Sequence, residues 1–363
     1  MAEENAQVSD LMGESAGVSG QNPIDIEFEA PQERSATKKA LAALLIIVVL
    51  LVAVGAGAFA WISSKLNSVQ TLADPFSGIS KIEDVPERPA QPEDDTPPVN
   101  FLVLGSDSRV SAGDPSQWEA GAQRTDAFMI AQISGDRKSV SVMSIPRDSW
   151  VAIPGHGEAK INSAFSYGGP TLTIATVEQL TGIHIDHVAV VDFTSFAELT
   201  DALGGVELTS ETEGTRTYTG EEALAFVRER KSLPGGDFDR VRRQQLWMKA
   251  VLEKTLTAET LSDPAKLLSL YNSISPYIAL DNGLGITDII SLATSMKDVR
   301  SKDFNFVTAP FTGTGTSADG QSIVLLDDAK FAELTKAFVE DRARLYIDEH
   351  VNDLRTLDSG AVN

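Results

Sequence analysis

The chain has 363 residues, 42% hydrophobic and 23% charged, a composition that supports a sizeable folded core in one large domain or two small ones. Its formal net charge of −22 argues against nucleic acid as a partner, because phosphate backbones are held by an excess of lysine and arginine. With no cysteine in the chain, disulfides, thiolate metal sites and cysteine nucleophiles are excluded.

Residues 1–39 carry eight acids against three bases and few large apolar side chains, which predicts a disordered acidic tail. Residues 40–62, ALAALLIIVVLLVAVGAGAFAWI, are uncharged and mostly apolar; at ~1.5 Å per residue they reach ~35 Å, enough to cross a bilayer as one transmembrane helix. Arg34, Lys38 and Lys39 precede this span, so the positive-inside rule places the N-terminus in the cytoplasm and the rest of the chain outside the cell membrane. Ala58-Phe59-Ala60 imitates a signal-peptidase site, but the apolar run is longer than a signal h-region, and we read it as an uncleaved anchor. Residues 63–97 end in VPERPAQPEDDTPP, a proline-rich acidic sequence that reads as an extended extracellular linker.

From residue 98 to 345 strand and helix patterns alternate. NFLVL, DAFMIAQI, SVSVMSI, HVAVVDF, NFVTA and SIVLL have strand character, being short and rich in β-branched or aromatic residues. Helices are predicted over 171–180, 195–203, 240–256, 264–280, 286–297 and 329–341, and Thr219-Gly220-Glu221-Glu222 forms a capping box ahead of ALAFVRER. The pattern implies an α/β or α+β sandwich, with residues 346–363 as a flexible C-terminal tail. No internal repeat is visible.

Three strand termini carry an acid and a base close together: Asp107 with Arg109, Arg124 with Asp126, and Arg147 with Asp148. In α/β sheets ligands settle where strands end, so three such pairs mark a candidate site, although each alone equally reads as a surface ion pair. FVRERKSLPGGDFDRVRRQQ then reverses the local charge, with Arg228, Arg230, Arg240, Arg242 and Arg243. On a helix Arg240 and Gln244 lie one turn apart on one face with Arg243 beside them, while Arg228 and Arg230 serve one ligand only if the preceding helix stops near Val227. Such a face grips a diphosphate or, in the rival reading, docks on anionic lipid headgroups. Asp107 and Asp126 are candidate ligands for magnesium, a hard cation that takes a few carboxylates together with phosphate oxygens. His184 and His187 fall on opposite faces of an extended chain and make no metal pair. No nucleophile elbow, Walker loop or dinucleotide fingerprint is present, and Lys160, Asn162 and Tyr167 fall in a glycine turn that packing explains equally well.

Taken together and in order, FLVLGSDSR, RTDAFMIAQI, VSVMSIPRDSWVAIPG, KINSAFSYGG, IDHVAVVDFTSFAELTDALGGVEL and LAFVRERKSLPGGDFDRVRRQQ resemble the LytR-CpsA-Psr family of cell-wall glycopolymer ligases. The resemblance implies a central mixed β-sheet flanked by helices around an apolar tunnel, after one transmembrane helix. It implies a phosphotransferase that moves a glycopolymer from a polyprenyl diphosphate carrier onto peptidoglycan through a phosphodiester bond. By the same resemblance Asp107 and Asp126 hold Mg²⁺, while Arg109, Arg124, Arg147, Arg228, Arg230, Arg240 and Gln244 surround the diphosphate. Asp107, Arg147, Arg228 and Arg230 become the catalytic candidates, with Asp107 as general base. The insertion-like VSAGDPSQWEAGAQ between Asp107 and Asp126 departs from the compact form of the pattern. Hydrolysis of the polyprenyl pyrophosphate, transfer to a surface protein and a non-enzymatic envelope regulator stand as rival readings.

Overall fold

The computed structural model describes residues 71–72, 74–106, 125–210, 214–230 and 232–357. The acidic tail, the predicted span 40–62, Asp107, Arg109 and Arg124 lie outside the described residues, among which no helix is long and apolar enough to cross a membrane.

In chain order these residues form β1 (Thr71–Leu72), β2 (Val99–Ser106), β3 (Thr125–Ile133), β4 (Val140–Ile145), a hairpin of β5 (Trp150–Ile153) and β6 (Gly157–Lys160), and helix α1 (Asn162–Thr181). There follow β7 (His187–Asp192), α2 (Phe193–Ala202), a hairpin of β8 (Val206–Ser210) and β9 (Gly214–Tyr218), α3 (Gly220–Arg228), α4 (Asp237–Thr255) and the single turn α5 (Ala258–Leu261). The C-terminal part adds α6 (Pro264–Ile274), β10 (Ala279–Asp281), α7 (Ile286–Ser295), β11 (Phe304–Thr308), a hairpin of β12 (Phe311–Thr316) and β13 (Ser322–Leu326), α8 (Asp328–Val339), α9 (Ala343–Glu349) and β14 (Arg355–Thr356).

Eight strands make one mixed sheet in the order β1-β10-β7-β2-β3-β4-β11-β14. β2 pairs antiparallel with β3 and parallel with β7, and β3 pairs antiparallel with β4, so the sheet combines hairpin and crossover connections. Side chains alternate across it. Leu102, Leu104, Phe128, Ile130, Met143 and Ile145 bury one face against α1, α8 and α9. Phe101, Val103, Met129, Ala131, Val142 and Phe306 meet Leu246, Met248 and Leu252 of α4 on the other. A satellite cluster joins α2, the β8–β9 hairpin, α3 and α4 through Leu199, Leu208, Phe226 and Trp247. Gln245 pins α4 to the sheet: fully buried, its amide donates to Ser144 Oγ and the Val307 carbonyl, both at 3.0 Å.

The helix predicted over 264–280 ends at Ile274; Pro276, which has no N–H, sits in a 3₁₀ turn, and Ala279–Asp281 instead joins the sheet beside β7. SIVLL is a strand, but of a separate hairpin rather than of the main sheet. The segment read as an extended spacer packs on the domain: Ile79 is buried, and Arg88 forms a two-pronged ion pair with buried Glu178 at 2.6 and 2.9 Å while donating to the Ile185 carbonyl at 2.7 Å. Its proline content restricts the backbone, and these partners from distant sequence decide where it lies. The predicted flexible tail is likewise ordered through residue 357, since α9 continues to Glu349 and β14 adds to the sheet edge beside β11.

Arg88→Ala leaves Glu178 buried without its cation. We expect a loss of about 3 kcal/mol in denaturant unfolding, and a loss below about 1 kcal/mol would show the latch to be unimportant.

Candidate active site

Segments from both halves of the domain converge on one cavity of about 650 Å³. Its depth is apolar, walled by side chains such as Val103, Met129, Leu224, Trp247, Ile274 and Ile290. Its mouth is polar and holds Asp126, Arg147, Arg228, Arg230, Arg240 and Gln244. Helix α7 has no buried residue, and Ile289, Ile290 and Ala293 turn toward the cavity in place of the protein core.

Local sequence explains how the mouth is built. The Thr219–Glu222 capping box starts α3, and the chain leaves helical geometry at Glu229, whose φ of −63° and ψ of 136° are extended. Arg228 is therefore the last helical residue, and Arg228 and Arg230 both reach the cavity as the spacing argument required. The reversal into α4 uses Gly236 at φ +56°, and at Gly235 a Cβ would sit 2.7 Å from the Asp239 carboxylate. Helix α4 begins at Asp237, three residues before the predicted start at Arg240, which places an acid in its first turn.

Asp237 is the residue that sequence reasoning passed over. Its carboxylate lies 2.9 Å from Arg240 Nη2 and 3.6 Å from Arg147 Nη2, bridging two arginines distant in sequence. Arg147 also pairs with Asp126 and lies 3.8 Å from Asp148, which Lys160 approaches at 3.2 Å. Burial lowers the Arg147 pKa, but the fields of Asp126, Asp237 and Asp148 outweigh it, so the net shift is upward. Arg240, only 4% exposed, shifts downward: burial dominates, Asp237 opposes it, and Arg147 adds repulsion. Two buried donors here, Arg147 Nε and Arg240 Nε, have no hydrogen-bond partner among the described residues. The exposed guanidinium groups of Arg228 and Arg230, which line the cavity beside them, suit the oxygens of an anionic group.

Arg228 lies over the Phe193 ring, 4.3 Å from its centroid. No carboxylate partner for Arg228 or Arg230 is found among the described residues, so both are available to a ligand. Arg243 does not join the mouth; its guanidinium donates to the Phe226 carbonyl at 3.0 Å and stacks on that ring. Position on the helix decides this, because residue 243 points toward α3 whereas 240 and 244 face the cavity. Phe193 and Trp247 belong to the cavity too, and only a prediction of helix faces in three dimensions would have found them. His184 and His187 have separate partners, the Pro89 carbonyl and Asp281.

Among the described residues no cluster of three or more histidine, aspartate or glutamate side chains gathers to hold a metal. Asp126 nevertheless presents a carboxylate at the mouth, paired with Arg147 and beside the other arginines. That donor set fits magnesium, which takes one or two protein carboxylates and completes its shell with phosphate oxygens and water.

The LytR_cpsA_psr family model matches residues 70–340. The chain belongs to the LytR-CpsA-Psr family. It is 31% identical over 277 residues to the cell wall biosynthesis protein LcpA of Corynebacterium glutamicum, covering 63% of this chain and 53% of LcpA. It is 32% identical over 245 residues to the polyisoprenyl-teichoic acid–peptidoglycan teichoic acid transferase TagU of Bacillus cereus, covering 64% of this chain and 76% of TagU. This chain thus spans about half the length of LcpA and three quarters of TagU. Among solved structures it is similar to B. subtilis TagV, with a TM-score of 0.57 and 25% identity over 69% of this chain and 98% of TagV. It is also similar to TagT bound to LI-WTA, with a TM-score of 0.55 and 26% identity over 72% of this chain and 98% of TagT.

Asp237→Ala removes the anion between Arg147 and Arg240 and should cost about 2 kcal/mol of stability. Added inorganic pyrophosphate should then raise the melting temperature of the variant more than that of the parent protein; equal shifts in both would show that the two arginines do not face an anion site.

Proposed function

We propose that this protein is a phosphotransferase that moves a glycopolymer from a polyprenyl diphosphate carrier onto peptidoglycan, forming a phosphodiester bond. The observation that carries the reading is the cavity itself, an apolar interior of lipid character opening through a mouth of arginines, of which Arg228 and Arg230 are exposed. A ligand that matches both parts has a hydrocarbon chain and an anionic head. The relatives' names, which include a polyisoprenyl-teichoic acid–peptidoglycan transferase, support the same class of donor and acceptor.

In this reading the prenyl chain lies along Val103, Met129, Leu224, Trp247 and Ile290, where its burial is favourable by about 25 cal/mol per Å² of apolar surface. Arg147, Arg228, Arg230 and Arg240, with Gln244, hold the diphosphate oxygens, and arginine suits the task because its planar fork binds them in pairs and keeps its charge. An acceptor hydroxyl attacks the phosphorus nearer the sugar. The new bond joins acceptor oxygen to that phosphorus, the bond to the bridging oxygen breaks, and the lipid monophosphate leaves with the electron pair. The hydroxyl proton passes to a carboxylate, a role we assign to Asp107, which lies outside the described residues. Charge that accumulates on the phosphoryl oxygens is met by Arg228 and Arg230, which have no carboxylate partner among the described residues to give up first. Asp126 and Asp107 would hold Mg²⁺, which supplies further neutralisation of the diphosphate when bound. The 40–62 span would keep the domain at the outer face of the membrane, within reach of a lipid-borne donor.

The test is transfer by the full chain in detergent from a polyprenyl diphosphate-linked saccharide to a peptidoglycan acceptor. Arg228→Ala and Arg230→Ala should each lower turnover by about 10²–10³-fold with little change in melting temperature, since both side chains are exposed. Chelation by EDTA should suppress transfer and Mg²⁺ restore it. Full activity in the double variant would refute the assignment, and released polymer phosphate with no conjugate would identify a hydrolase instead.

A further inference from the structure

A second cleft, of about 360 Å³, lies on the opposite face of the sheet from the arginine-lined cavity. β3 runs between the two sites: Asp126 at its start borders the cavity, and Gln132 near its end floors the cleft, about 20 Å further along the strand. Helix α9 and the residues just before it form the other wall.

The floor is polar where a sheet face is normally apolar. Gln132 is paired in register with Ser141 of β4, and Ser139 lies two residues before Ser141, so all three project from one face. They are 2%, 3% and 5% exposed respectively for Gln132, Ser141 and Ser139. Both N–H groups of the Gln132 amide are used, donating to Asn100 Oδ1 at 2.9 Å and the Phe338 carbonyl at 2.8 Å. The Phe338 carbonyl only accepts, which sets the orientation of the amide and leaves Gln132 Oε1 without a donor among the described residues. The Ser139 and Ser141 hydroxyls likewise have no partner among them. Asp341, held at φ +53°, accepts from the Gly135 amide with one carboxylate oxygen, while the other is buried without a partner. Burial raises the Asp341 pKa. The buried, unpaired Asp341 Oδ1 costs about 1–3 kcal/mol, and Gln132 Oε1 with the two serine hydroxyls adds further polar groups along the cleft that an occupant could bond. Its volume equals about a dozen waters at ~30 Å³ each and falls within the range of small-molecule sites.

The surroundings select the chemistry of that occupant. An anion is disfavoured: Arg344 is already paired with Asp303 at 3.0 Å, Arg342 has Glu340 at 3.7 Å, and Asp136, Asp341 and Asp348 line the same cleft. A metal ion is disfavoured because the described residues contain no suitable cluster of ligands. No aromatic ring lines the cleft on which a base or aromatic ligand would stack. A neutral molecule rich in hydroxyl groups satisfies every element, donating to Gln132 Oε1 and the carboxylates and exchanging hydrogen bonds with the two serines.

We propose that this cleft is a saccharide-binding site, separate from the arginine-lined cavity, that takes a neutral, hydroxyl-rich sugar unit. On a protein that handles glycan strands it would retain a strand at a distance from the reacting end. The binding claim does not depend on the transfer reaction and is tested without it.

The full chain in detergent is titrated with the tetramer of N-acetylglucosamine, followed by saturation-transfer NMR and calorimetry, with inorganic phosphate and calcium chloride as charged comparisons. We expect saturable binding of the tetramer that Ser141→Leu abolishes by filling the cleft. Ser141→Ala, which removes only the hydroxyl and guards against misfolding of the larger variant, should weaken binding by about tenfold, the equivalent of one hydrogen bond. Arg228→Ala should leave binding unchanged. The proposal is overturned by absence of saturable binding, by equal affinity in both Ser141 variants and the parent, by preferential binding of phosphate or calcium, or by loss in Arg228→Ala, which would put the sugar at the cavity mouth.

Discussion

The sharing of Asp237 between Arg147 and Arg240 is the interaction on which the candidate site depends. Two guanidinium groups brought together beside an apolar cavity repel each other and lose hydration, and a single carboxylate from the first turn of α4 offsets both effects. It ties the end of β4 to the start of α4, so the sheet and the helix that close the cavity are held in register by charge. The compensation is incomplete, because two guanidinium Nε donors remain unpaired and Arg228 and Arg230 bring further positive charge with no carboxylate partner among the described residues. A site in this state is stable enough to fold and still favours an incoming anion.

The rest of the architecture follows from having to place apolar depth behind that charged mouth. Helices α6 and α7 contribute Leu267, Leu270, Ile289 and Ile290 to the cavity, and apart from Leu267 these side chains are only half-buried. Their apolar surface is completed by what the cavity holds rather than by the protein core. The opposite face of the sheet, packed by α1, α8 and α9, is where the conventional core lies, and it is interrupted by the polar cleft floored by Gln132, Ser139 and Ser141. The two faces of one sheet therefore present two different chemistries, a lipid-like cavity and a hydroxyl-lined cleft.

Much of this was legible in the chain because it rests on local rules. The strand segments, the capping box at Thr219 and Glu222, and the change to extended backbone after Arg228 follow from side-chain periodicity and end-group hydrogen bonding, which neighbouring residues decide. Arg147, Arg228, Arg230, Arg240 and Gln244 were recognised as candidates, and they line one cavity. Asp237 was missed because an acid in a first helical turn is ordinary, and its importance arises from Arg147, 90 positions away. Arg243 was grouped with the anion-binding face because helical adjacency was visible while the neighbouring helix was not. The segment before residue 98 read as a spacer because its prolines and acids dominate its composition, whereas its position is set by Arg88 meeting Glu178 across the fold.

By itself the sequence determined the elements, the reversed charge around residues 228–243, the apolar span at 40–62 and membership of the family through motifs in a fixed order. All of these are properties of contiguous stretches, where spacing and side-chain chemistry suffice. The tertiary structure alone decided which arginines face the cavity, which acid they share, which apolar helices enclose it and where buried polar groups go unpaired. Those outcomes depend on burial and on distances between residues remote in the chain, and the cost of removing charge and hydrogen-bonding groups from water is set only when the elements pack together.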